Sequence, residues 1–160
     1  MQEETRYIQI LRESLSKKER LLHNLLEITK QQSDYINGKE FDIDVFNDLM
    51  DVKEEMIQEL NAVEDAFESL YDRIRVYLME HKETLANEIV EMQNRIREIT
   101  NLSVSIQALE ERNKQRLEVI FNSKRQEINN LKKSTRMVNN YYNAMTGSGV
   151  DKSMYFNKKK

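Results

Sequence analysis

Proline is absent from all 160 residues of this chain, and glycine occurs only three times, at Gly38, Gly147 and Gly149. Proline removes a helical hydrogen bond and clashes with the preceding turn, so a chain without it has nothing to interrupt long helices. Apolar residues recur at steps of three and four, and nowhere do they alternate with period two. The pattern predicts an all-α fold, an elongated antiparallel bundle of three long helices with an extended C-terminal helix and a flexible tail. The bundle is expected over residues 1–146 and the tail over 147–160.

The first helix is expected over about residues 3–36. Counting in sevens gives Ile8, Leu11, Leu15, Lys18, Leu22, Leu25, Thr29, Gln32 and Ile36, of which six of nine are apolar. Asn37-Gly38 is expected to supply the left-handed residue that commonly closes a helix. In the loop that follows, Phe41 and Ile43 are candidate anchors, and Asp42 or Asp44 can cap the next helix by accepting from its free N–H groups. The second helix, about residues 44–80, carries the strongest pattern: Phe46, Leu49, Lys53, Met56, Leu60, Val63, Phe67, Leu70, Ile74 and Tyr77. A shift in register places a turn near His81–Thr84, with Thr84 as its cap.

The third stretch, about residues 84–145, opens on Leu85, Ile89, Met92, Ile96 and Ile99 and then crosses Thr100–Ser105, a run poor in strong helix formers. Beyond it the apolar stripe drifts, as it does when a helix kinks or changes partner. At 1.5 Å per residue the first two helices measure roughly 50 Å and the third roughly 90 Å if unbroken. The last ~25 residues of the third are then expected to lack a neighbour in the bundle. That overhang carries Phe121, Ile128, Leu131, Val138, Tyr141, Tyr142 and Met145, and Leu117 is expected on the same stripe without an internal partner. Leaving each large side chain in water costs about 1.5–3 kcal/mol, so the stripe calls for a partner. On this view, changing Phe121 or Leu131 to Ala costs little stability and weakens partner binding, whereas Leu70→Ala destabilises the fold.

Several functions are excluded. Charged residues make up 33% of the chain but net only −3, which is no footprint for nucleic acid. No run approaches the roughly 20 apolar residues that span a bilayer, so no membrane insertion is expected, and Lys158–Lys160 read as a solubilising end. The start MQEETRYIQ lacks a signal peptide's basic and apolar regions, and the absence of cysteine suits a reducing compartment, so the expected location is cytoplasmic. No enzyme activity, metal or cofactor is expected. His23 and His81 lie in separate regions, and Arg20 and Leu78 stand where a di-metal bundle would need glutamate. Glu54-Glu55 and Glu110-Glu111 read as solvated helix surface. Met56 and Met92 read as core fillers, while Met137, Met145 and Met154 lie outside the expected core.

The run LEERNKQRLEVIFNSKRQEINNLKKSTRMVNNYY resembles the long C-terminal helix of FlgN-type flagellar export chaperones. In that family an Asn precedes spaced leucines and a tyrosine follows near the helix end. Asn113, Leu117, Leu131 and Tyr141 or Tyr142 match those positions. The ending Tyr155–Lys160 is similar to the aromatic-plus-lysine ending of some members. Lys114 and Arg116 depart from the family, which often has a second Asn near this point. The resemblance implies a chaperone that binds the C-terminal segments of hook–filament junction proteins, keeps them soluble and delivers them to the flagellar export gate. The partner-binding residues it and the stripe point to are Asn113, Leu117, Ile120, Phe121, Ile128, Leu131, Val138, Tyr141, Tyr142 and Met145. The alternatives are a chaperone for a different secreted flagellar subunit, or a structural coiled-coil homodimer in which the overhang pairs with its twin. A homo-oligomer in the absence of client is the corresponding expectation for the free protein.

Overall fold

A computed structural model describes residues 2–38 and 41–122. The described residues form three α-helices and no strand: α1, Gln2–Ile36; α2, Ile43–Glu80; and α3, Ala86–Phe121. Expected residues 123–145 of the third helix, and the tail at 147–160, lie outside the described residues.

Helix α1 lies between the other two and packs along both, whereas the backbones of α2 and α3 scarcely approach each other. Its contacts fix the directions. Arg12 meets Glu91, Glu19 meets Arg95 and Thr29 meets Asn113, so α1 and α3 run parallel. Lys17 meets Glu59 and Gln32 meets Lys53, so α2 runs antiparallel to both. All nine seam positions expected on the first helix are buried, joined by Leu21.

On α2 the strict count of seven is off by one in places. Met50, Tyr71 and Leu78 are buried where Leu49, Leu70 and Tyr77 were expected, and these last three are only half-buried. A straight helix repeats every 3.6 residues, so a 3.5-residue count drifts across its face.

The caps separate cleanly into expected and unexpected. The Asp42 side chain accepts from Asp44 N–H at 2.9 Å, as a capping aspartate does. Gly38 does not take the left-handed conformation expected of it, since no described residue has positive φ. Helix α1 instead ends in a tight turn, Gly38 N–H donating to the Tyr35 carbonyl at 3.1 Å. A β-carbon at Gly38 would sit 3.3 Å from that same carbonyl oxygen, so close backbone approach favours glycine there. Between α2 and α3 the turn occupies residues 81–85. Thr84 is not its cap: Leu85 holds that position, with no side-chain hydrogen bond. His81 closes α2 with its ring stacked on Tyr77, centroids 4.0 Å apart.

Helix α3 runs unbroken through Thr100–Ser105. Thr100 and Ser103 turn their hydroxyls back onto the Ile96 and Ile99 carbonyls, so weak helix formers are accommodated without a break. Within the described residues the three helices are nearly equal in length, 35, 38 and 36 residues. Leu117 and Phe121 are 2% and 1% exposed, so they pack inside the bundle and not on an overhang. Phe121→Ala should accordingly destabilise the fold by about 3–5 kcal/mol, and Leu22→Ala, fully buried on α1, by about 2–5 kcal/mol. Val119→Ala, at a side chain 72% exposed, should stay within about 0.5 kcal/mol. Urea unfolding of the three variants checks the order.

Candidate functional site

The expected partner stripe begins at Asn113, and the structure places its first members inside the bundle. Asn113, Leu117 and Phe121 are buried, and Ile120 is half-buried against the core. Ile128, Leu131, Val138, Tyr141, Tyr142 and Met145 lie outside the described residues. The expectation that Leu117 and Phe121 lack an internal neighbour is thus corrected, and the reason is local.

The loop residue Phe41 fills the end of the bundle. Its ring lies 5.7 Å from Tyr35, 6.1 Å from Phe46 and 5.6 Å from Phe121, the last edge-to-face. Such ring pairs contribute about 0.5–1.5 kcal/mol beyond their buried area. Tyr35 holds the loop by accepting from Asp42 N–H through its hydroxyl at 2.8 Å. The aromatic cluster takes Phe121 from solvent and fastens the C-terminal end of α3.

Just inside this cluster the core turns polar on all three helices. Lys53 of α2, fully buried, donates to Gln32 Oε1 of α1 at 3.0 Å and pairs with Glu110 of α3. Thr29 of α1 donates to the Leu25 carbonyl at 2.8 Å and reaches Glu110 at 3.4 Å. Asn113 of α3 donates to the Thr29 carbonyl at 3.3 Å. Gln32 Nε2 is buried without an acceptor. The layer lies along the helices between Leu22, Leu25 and Ile106 on one side and Ile36, Phe46, Leu117 and Phe121 on the other, all within one hydrophobic cluster.

Glu110 was read from the sequence as solvated surface; it is half-buried and paired with Lys53. A signal for the layer existed, because Thr29, Gln32 and Lys53 occupy seam positions that a purely apolar core would not tolerate. A second buried pair, Lys18 of α1 with Glu64 of α2, lies further along α1.

This arrangement offers little chemistry beyond binding. His23 is exposed beside Glu19 at 3.9 Å, while His81 caps the far end of α2. Among the described residues no group of three or more His, Asp or Glu is placed to hold a metal ion, and no helix is long and apolar enough to cross a membrane.

Comparison with known families finds a match to the family described as FlgN protein, over residues 1–148. No curated protein and no solved structure matches the chain significantly.

Burial pushes the Lys53 ammonium down from its usual range to about 7, because desolvation disfavours the charged form. Glu110 opposes this by attraction, yet complete burial dominates. The unfolded chain then holds a proton at Lys53 up to about pH 10.5 that the folded chain releases near 7. Where the unfolded state binds more protons, stability rises with pH. Stability should therefore climb from about pH 7 toward 10, by an amount on the order of a few kcal/mol, with no contribution from Lys53 to the slope below 7. Urea unfolding from pH 6.5 to 9.5 checks this, and Lys53→Met should remove the excess slope relative to the native chain.

Proposed function

The chain belongs to the FlgN family of flagellar export chaperones, and we propose that its clients are hook–filament junction proteins. It binds their C-terminal segments in the cytoplasm, keeps them soluble and presents them to the flagellar export gate. The observation that carries this reading is the extent of the match. It reaches residue 148 and so takes in every position of the apolar stripe from Asn113 to Met145.

An amphipathic client segment recognises such a stripe by laying its own apolar face along it, with anchors spaced at helical intervals. Tyr141 and Tyr142 suit the role of anchors, since tyrosine brings a large stiff ring and a polar tip at low entropic cost. A client that is disordered when free spends part of its interaction energy on ordering. The affinity that remains is moderate, and a chaperone must release what it carries.

Titrating a hook–filament junction protein's C-terminal segment into the full chain tests the proposal. Leu131→Ala and Tyr142→Ala should each weaken binding by about 1–3 kcal/mol. Unchanged affinity in both variants would remove the stripe from the site. Tighter binding of a filament or cap subunit than of the junction protein would reassign the client. If the same substitutions convert a dimer to a monomer in sedimentation and leave client binding intact, the stripe is a self-association surface.

A further inference from the structure

We propose that the polar layer of Thr29, Gln32, Lys53, Glu110 and Asn113 is a latch, at which α3 from Glu110 to Phe121 releases from α1 and α2 as one unit. The proposal concerns the free protein. Its consequence for clients rests on the function proposed above, because Asn113, Leu117 and Phe121 face inward and are reachable only once this part of α3 has moved.

The layer is where the hold of α3 on the bundle changes character. On its N-terminal side α3 is fixed by five buried apolar residues, Met92, Ile96, Ile99, Leu102 and Ile106. On its C-terminal side, among the described residues, it is fixed by two, Leu117 and Phe121, with Ile120 half-buried beside them. Between them the contacts are polar, and water can replace each one when the layer opens. Lys53 and Gln32 gain from that exchange. The ammonium recovers hydration lost to complete burial, and Gln32 Nε2, which has no acceptor in the closed bundle, finds one. Opening any further back would expose a run of core residues with no such return. The boundary of the mobile unit therefore falls at Glu110 and not at an arbitrary turn.

A fraying helix end behaves differently, losing protection gradually from its last residue inward. Hydrogen exchange on the intact native chain separates the two. Amides of residues 111–121 should exchange through one shared opening, about tenfold or more faster than those of residues 96–106, with a step near Glu110. A smooth gradient toward Phe121, or equal protection on both sides, overturns the latch.

A second measurement uses the chain's lack of cysteine. Leu117→Cys, beyond the layer, should react with a thiol reagent about tenfold or more faster than Ile106→Cys, inside it. Replacing the layer's charged pair by Lys53→Met with Glu110→Met should slow the first toward the second. Equal rates in the native background, or a rate at Leu117→Cys indifferent to the apolar pair, count against the proposal. If the exchange step is present and the Lys53→Met, Glu110→Met chain binds the junction segment as tightly as the native chain, the latch stands and clients do not use it. If the step is absent, the latch fails whatever the client affinity.

Discussion

Everything in this bundle depends on α1 being shared. A helix with one neighbour needs a single apolar stripe, but α1 has two, and its buried positions must serve both. That is why Leu21 is buried beside Leu22, outside the strict seven-residue count. It is also why α2 and α3 need not touch closely: each is held by the same strut. Their directions follow, because short connections at 37–42 and 81–85 force α2 to run back along α1 and α3 to run forward again. The surface ion pairs across these interfaces, such as Arg12 with Glu91 at 2.7 Å, lie partly in solvent and add little. They agree with the register without setting it.

Register is better explained by the polar groups on the seams. Lys18, Thr29 and Gln32 interrupt the apolar stripe of α1, and each meets a polar partner on a facing helix. Sliding α2 by one turn toward the C-terminal end of α1 would move Lys53 from Gln32 to the level of Ile36, leaving a buried charge poorly compensated, which is among the costlier errors a core can make. The apolar contacts would tolerate such a slip far better, since one large aliphatic group replaces another. Stability thus comes from the leucines and phenylalanines, and uniqueness from a few groups that are individually expensive. On the latch proposed above, a device that selects one alignment is also a place where the alignment can be undone.

The sequence made the helices and the inward face of α1 legible because hydrophobic periodicity reports directly on burial. Every heptad position read from residues 8 to 36 is buried in the structure. The same reading failed at Met50, Tyr71 and Leu78 because a fixed heptad cannot follow a helix that drifts around its neighbour. It failed at Glu110 because charged pairs on helices usually face water, and nothing local distinguishes the one opposite a buried lysine. It failed at Phe121 because the ring that covers it comes from a loop and not from a helix. Three unequal helices implied an overhang, whereas Phe41, a loop residue four places beyond Asn37, closes the bundle end around that ring. Contacts between a loop and a helix end eighty residues later leave no periodic trace.

The remaining apolar sequence poses a different constraint. Helix α1 ends at Ile36 and α2 begins at Ile43, and the Phe41 ring between them packs on both Phe46 and Phe121. Ile128, Leu131, Val138, Tyr141 and Tyr142, which follow in the sequence, are the residues proposed to meet the client. The outer faces of the described bundle are poor substitutes. Their exposed large apolar residues are mostly valines spread along α2 and α3, and isolated exposed valines are ordinary surface. Among the described residues the last inward ring, Phe121, is held by Phe41, and the most exposed valine, Val119, stands only two residues before it.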